Sequence, residues 1–207
     1  MINYDSSPPS ITYTDNDGQN TAVTTHTFTS KAIGAAHPSR RVVVAVGFYA
    51  ATTSCTMTIA GVAATELTGC ALNYLGSTRT RMFIADIPTG TTATIVVTLG
   101  AAGACYIGVF SLLNALSATP VATSNDDTSP VTLDLNVSAR GVACGFAITN
   151  VSTSWAWTGM TEAFDATISS LTHTGATYTA TAAQAPLSVS ATVVPAGSIV
   201  GCAASFR

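Results

Sequence analysis

The chain has 207 residues, of which 47% are hydrophobic and only 8% are Asp, Glu, Lys or Arg, with a formal net charge of −3. Soluble domains usually carry about a quarter charged residues, so hydroxyls must supply most of the polar surface, and the mean hydropathy is +0.43. Seven scattered cations make no phosphate-tracking surface, and the longest apolar run, Val42 to Ala51, falls well short of the roughly 18 residues of a membrane helix. A membrane barrel would show girdles of aromatic side chains, which are 7% of this chain. Neither nucleic acid nor membrane is therefore an expected partner. Residues 1–9 contain no basic stretch and no apolar stretch, so a secretory signal is not expected.

From the N-terminus, Asp15-Asn16-Asp17-Gly18 has the acidic oxygens of a calcium loop but lacks its first ligand and closing glutamate, and it reads as an Asp-Gly turn. Strand-like runs follow at 22–33, 41–50, 55–60, 62–67, 80–87, 92–99 and 104–113. Others follow at 130–137, 141–149, 154–158, 160–166, 171–181, 187–194 and 198–206. Each is short, β-branched or aromatic, and bounded by Gly, Pro, Asn, Asp or Ser, which predicts an all-β, antiparallel, jelly-roll-like sandwich. Segments 22–30 and 91–98 alternate only weakly because Thr sits on both faces, which specifies register less firmly than Val would.

The two series resemble each other. Ala45-Val46-Gly47-Phe48 matches Ala143-Cys144-Gly145-Phe146, and Ile59-Ala60-Gly61-Val62 matches Trp157-Thr158-Gly159-Met160. Phe83-Ile84-Ala85 then aligns with Tyr178-Thr179-Ala180, and Thr98 and Gly103 with Thr192 and Gly197. The order is kept through four anchors, which points to a duplicated β unit. The halves run from about 22 to 114 and from 129 to 207, joined by a polar loop at 115–128. A lone half would bury a thin core, so the expectation is a single domain over 1–207 in which both halves build one sandwich. The shared glycines are expected at turns or at close backbone approaches.

Cysteines number five, and an odd count without secretory context argues against a disulfide framework. Cys105, Cys144 and Cys202 lie among small apolar residues and read as core, whereas Cys55 and Cys70 flank a possible hairpin where oxidation could join them. His26, His37 and His173 have no metal-ligand spacing, and Asn125-Asp126-Asp127 reads as a solvated loop with a weak cation site as its alternative. Glu66, Glu162, Asp86 and Asp165 form no recognisable acid/base pair. No catalytic, metal or cofactor-binding residue is assigned. Trp155 and Trp157 share one strand face, where they either fill the core or, with the loop residue Tyr74, form an aromatic platform for a glycan or a protein partner.

The runs Thr27-Phe28-Thr29-Ser30-Lys31-Ala32-Ile33-Gly34, Arg41-Val42-Val43-Val44-Ala45-Val46-Gly47, Thr56-Met57-Thr58-Ile59-Ala60-Gly61-Val62-Ala63-Ala64 and Arg81-Met82-Phe83-Ile84-Ala85-Asp86-Ile87-Pro88-Thr89-Gly90-Thr91-Thr92 resemble a recurrent β-sandwich protein of tailed-bacteriophage virions. The resemblance covers most of the first half and, through the repeat, loosely the second. It implies a non-enzymatic virion component made in the bacterial cytoplasm, a capsid decoration, head appendage or tail accessory, with other virion proteins and further copies of itself as partners and no cofactor. The alternatives are a tail-fibre or carbohydrate-binding module that meets host surface glycans and, with least support, a glycan-active enzyme using Glu66 or Glu162.

Overall fold

The computed structural model describes residues 7–73, 78–169, 171–194 and 197–207, and among these every regular element is a strand. The first half holds β1 (Ser10–Ala32), β2 (Arg41–Ala50), β3 (Cys55–Ile59), β4 (Val62–Ala63), β5 (Thr65–Glu66), β6 (Leu72–Asn73), β7 (Thr78–Asp86) and β8 (Thr92–Leu113). The second holds β9 (Ala122–Asp126), β10 (Val131–Val137), β11 (Val142–Thr149), β12 (Trp155–Thr158), β13 (Thr161–Ile168), β14 (Leu171–Thr179), β15 (Gln184–Val193) and β16 (Ile199–Phe206). All described pairings are antiparallel, so the expected all-β sandwich architecture is present.

The strands stack in four layers. In the first half, β3 and residues 25–32 of β1 flank the start of β8 and form an outer layer. The later part of β8 lies between β2 and the beginning of β1, and β7 pairs on the far side of β2. Phe28, Ile95 and Met57 from the outer layer meet Val44, Phe48 and Phe83 from the inner one in a single apolar cluster. In the second half the outer sheet is β10-β15-β12 and the inner one β13-β14-β11-β16-β9, with Leu133, Val189, Trp155, Ala143 and Ala203 between them. The two inner sheets then face each other. Val43, Ala45, Met82, Ile84, Tyr106 and Phe110 of the first half pack against Val142, Cys144, Phe146, Phe164, Cys202 and Phe206 of the second. Each half thus has its own core, and a third core is shared between them.

This layering explains the sequence pattern. The inner strands β2, β7, β11 and β16 are buried on both faces and read as continuous apolar or small-residue runs. The outer strands β3, β10 and β15 have one wet face and alternate. Glycine makes room at the shared core. A Cβ at Gly47 would come within 2.9 Å of Ile148, and one at Gly108 within 2.9 Å of Phe164, so bare backbone lets aromatic side chains of the other half nest against the sheet.

Several local expectations are corrected. The residues read as an Asp-Gly turn lie inside β1, where Asp15, Asn16, Asp17 and Gly18 pair with residues 106 to 109 of β8. β1 is bulged between Gln19 and Thr25 and bends so far that Lys31 reaches back to Asp17, at 2.8 Å, while the Ala32 amide donates to the Asp15 carboxylate, also at 2.8 Å. Runs 92–99 and 104–113 are one bent strand, β8. It passes Gly103, where a Cβ would stand 2.0 Å from the Tyr49 carbonyl oxygen. Run 62–67 instead divides at Ala64, because β4 pairs in the outer layer with β3 and β5 in the inner layer with β7. Part of the expected 115–128 loop is a strand, β9, paired with β16.

The duplication holds as topology: β2 lies between β7 and β8 as β11 lies between β14 and β16, and β3 and β1 flank the start of β8 as β12 and β10 flank β15. Gly61 and Gly159 occupy corresponding turns with φ of 80° and 82°. The 45–48/143–146 match is out of structural register, however. Phe48 points into the core of its own half, whereas Phe146 points into the shared core, and a one-residue slip is what turns a side chain to the other face.

Candidate functional site

Where the chain crosses from one half to the other, the segment after β8 runs past the edge formed by β4 and β5 and leaves a cleft of about 530 Å³. Val62 and Glu66 stand on one wall, Pro120, Val121 and Thr123 on the other, and Asp86 at the end of β7. Val62 and Val121 are large apolar residues left 46% and 49% exposed, and Leu116 on the same crossing segment is 71% exposed. The cleft is held from both sides. The Thr123 hydroxyl donates to the Thr68 carbonyl at 3.0 Å and the Asn125 amide to the Gly69 carbonyl at 2.7 Å, while the Leu116 amide donates to the Arg207 carbonyl at 2.6 Å. Both carboxylates at the cleft are already paired: Glu66 with Arg81 at 3.1 Å, and Asp86 with Arg41 at 2.9 Å. The result is an apolar, hydroxyl-lined recess suited to contact with an uncharged chain. Sequence reasoning took this segment only as a loop; its signal was Val121, an isolated large apolar residue after Pro120 in a polar stretch.

The cations are largely withdrawn from the surface. Arg40 is buried, and its guanidinium donates to five carbonyl oxygens, of Ile87, Gly34, Ala35, Thr89 and Gly90, at 2.6 to 2.9 Å. Burial holds its pKa below the ordinary arginine value. Arg81, also buried, donates to the carbonyls of Thr80, Leu72 and Thr53 and to Asn73 Oδ1, with its guanidinium carbon 5.9 Å from the centre of the Phe48 ring. Arg79 beside it is buried too and donates to the Ala50 carbonyl. Arg40 and Arg81 hold loops and strand ends together by more hydrogen bonds than a lysine has donors to copy.

Trp155 and Trp157 do share a face, and that face looks inward. Trp155 is 5% exposed within the second-half core, and Trp157 packs against the same core, over Gly145, with its indole N–H donating to the Thr174 hydroxyl at 3.0 Å. Trp155 presents no free ring face, and Trp157 is half-buried. Tyr74, the third member of the expected platform, lies outside the described residues. Glu162 and Asp165 sit on β13, each held above the ordinary carboxylate range chiefly by desolvation, and Asp165 accepts the Trp155 amide at 2.9 Å. Glu66 is on a sheet of the other half.

The remaining polar candidates serve the chain itself. The Asp126 carboxylate accepts the amides of Asp127, Thr128 and Thr132 and the Thr128 hydroxyl, closing the turn into β10. His26 bridges Gln19 and the Gly103 carbonyl, at 3.1 and 2.8 Å, and His37 accepts the Ser39 amide at 3.2 Å. His173 is buried in the shared core among the rings of Tyr106, Phe146 and Phe164, 5.4 to 6.1 Å away, and neither ring nitrogen has a partner of ordinary hydrogen-bond geometry. Burial lowers its pKa to about 4. Cys55 and Cys70 lie in different cores, so the pairing considered for them has no structural basis. Among the described residues no group of three or more His, Cys, Asp or Glu is placed to hold a metal ion, and no helix is long and apolar enough to cross a membrane.

No protein-family model matches the sequence, and no curated protein matches it significantly. Among solved structures, the chain is similar to latent dimeric PorU from Porphyromonas gingivalis, at 9% identity and a TM-score of 0.35 over 95% of this chain, which spans 20% of that one. It is similar to a Red Clover Necrotic Mosaic Virus chain at 10% identity and a TM-score of 0.27, covering 96% and 94% of the two chains. A tandem CBM22 domain of Xyn10C from Paenibacillus barcinonensis follows at 8% identity and 0.24, covering 95% and 93%. Likenesses this slight bring no activity and no partner to this chain.

Proposed function

We propose that this protein is a non-enzymatic structural component of a bacteriophage particle, a capsid decoration or head appendage that works by being covered by neighbouring protein. The observation that carries the reading is the chemistry of the two outer sheets. On the first, Thr25, Thr98 and Thr56 are in register across three strands and all are exposed, with Thr27 and Thr58 flanking Val96 in the next row. On the second, Thr132, Ser190 and Thr158 form the corresponding row. Both ends of the stack therefore present short hydroxyl side chains in ranks, while Arg40, Arg79 and Arg81, three of the six arginines, are buried. Such a surface loses little side-chain entropy when it is buried by a partner, and charge on it is sparse, with Asp134 exposed opposite Ser188 in the row beside Thr132 on the second sheet. The resemblance to virion sandwiches agrees with this chemistry.

Locating the chain in purified particles by electron cryomicroscopy tests the proposal, and particles that lack it overturn it. Thr98→Lys and Ser190→Lys place a charge on each outer sheet without touching a core. The variants are expected to melt like the wild type and yet be lost from particles; undiminished incorporation would remove the outer sheets as the contact surfaces. A receptor- or glycan-binding role would rest on Trp157, the only one of the two indoles with part of its surface open, and a blank glycan array would end it.

A further inference from the structure

The shared core contains three thiols of which the proposed function makes no use. Cys70 comes from the first half, Cys144 and Cys202 from the second, and all are free and buried. Cys70 ends the tight turn after β5, in which its amide donates to the Leu67 carbonyl at 3.1 Å. Its sulfur reaches across the boundary and donates to the carbonyl of Ala203, the neighbour of Cys202, at 3.4 Å. The Cys70 thiol also interacts directly with that of Cys202, and this contact, with burial, holds its pKa well above the ordinary thiol value. Cys144 lies on the strand next to β16, where it pairs with Ala204. That makes Cys144 and Cys202 diagonal neighbours on one face, with separations of about 7 Å, against the roughly 4 Å between Cβ atoms that a disulfide needs. Cys70 is not bound by that sheet register.

We propose that Cys70 and Cys202 are a latent cross-link site at which a small-molecule disulfide closes a covalent bond between the two halves. A Cys70 thiolate attacks the small disulfide RSSR, forming Cys70–S–S–R and releasing one RS⁻. The Cys202 thiolate then attacks the Cys70 sulfur, forming the Cys70–Cys202 bond and releasing the second. Two protein thiols are oxidised, one small disulfide is reduced to two thiols, and the two protons lost by the cysteines end on those thiols. The first attack requires the Leu67–Cys70 turn to lift, because the sulfur is buried and thiolate is the attacking form. The bonds holding that turn to β9, from Thr123 and Asn125, lie at the surface, so the turn can open while the sheets stay paired. Closure is slow, set by that opening, and once made it ties together two segments far apart in sequence.

The test is incubation of the folded, full-length protein with excess oxidised glutathione at mildly alkaline pH, followed by non-reducing peptide mapping. The expected result is an intact mass lower by two hydrogens, a single linked peptide pair containing Cys70 and Cys202, and a thermal midpoint that rises on oxidation and returns on reduction. Cys144→Ala should keep the link, whereas Cys70→Ser should abolish it. An unchanged mass after an incubation that fully oxidises the denatured chain overturns the proposal. So does a lasting glutathione adduct, or a link that uses Cys55, Cys105 or Cys144. The wild-type map decides even where a variant fails to fold.

Discussion

At the scale of single residues, the buried cations and histidines carry the sharpest consequences. Arg40 gathers five carbonyl oxygens from two loops and a strand end around one buried guanidinium. Arg40→Ala should therefore cost about 3 kcal/mol or more by urea denaturation, and Arg40→Lys should recover only part of it, since an ammonium offers three donors from a single point. His173 makes stability depend on pH. With a native pKa of about 4 against an ordinary value of 6.5, the unfolded chain binds a proton here before the folded one does. The contribution is complete above about pH 6.5 and is lost as pH falls toward 4, by about 3 kcal/mol in all. His173→Phe should flatten this part of the pH–stability curve between pH 7 and 4.5; an unchanged slope would show that another group carries it. Neither role was legible in the sequence. Arg40 reads there as a flanking charge and His173 as one polar residue in a threonine-rich strand, because their partners come from distant segments.

At the scale of elements, glycines separate two kinds of constraint. Gly47 has an ordinary strand conformation, but a Cβ there meets Ile148 and Phe146 of the opposite half. Gly61 has φ of 80° with no atom within 4 Å of an added Cβ. Gly47→Val should destabilise by about 1–3 kcal/mol through overpacking, whereas Gly61→Ala should cost about 1 kcal/mol through backbone conformation alone. Equilibrium unfolding of the two variants distinguishes the causes, since only the first should loosen the contact between halves and speed hydrogen exchange in β2 and β11. Most strands were legible from alternation and turn residues. The misreadings cluster where a strand serves two sheets: β1 through its bulges, β8 across Gly103, and the β4–β5 switch at Ala64. Local pattern marks a strand but does not say whether a Gly-rich or polar interruption ends it or bends it.

At the scale of the whole molecule, four layers and three apolar interfaces mean that each half has an outer sheet suited to water and an inner sheet that is not. Residues 1–114 expressed alone would expose Val43, Ala45, Met82, Ile84, Tyr106 and Phe110, a patch larger than monomers normally leave open. The fragment should bind a hydrophobic dye and elute as aggregate in size-exclusion chromatography; a clean monomer would mean that the shared core adds little. The intact chain, with hydroxyl rows at both ends of the stack, is expected to self-associate or to bind particle proteins, which its mass in solution checks directly. The cleft between β4, β5 and the crossing segment exists only because the halves are joined there.

Composition and periodicity by themselves determined that this is an antiparallel all-β protein made twice over, with hydroxyls where other proteins put charge. Those properties are local, written in side-chain alternation, turn chemistry and totals. Only the tertiary structure decided that each half closes on its own core and lends its inner face to a third, that both tryptophans turn inward, and that Cys70 meets Cys202 and not Cys55. The reason is that strands of period two carry no label for their sheet or their partner. A pair of apolar runs looks the same whether it faces its own half or the other, and only the packing of glycines under aromatic rings selects between them.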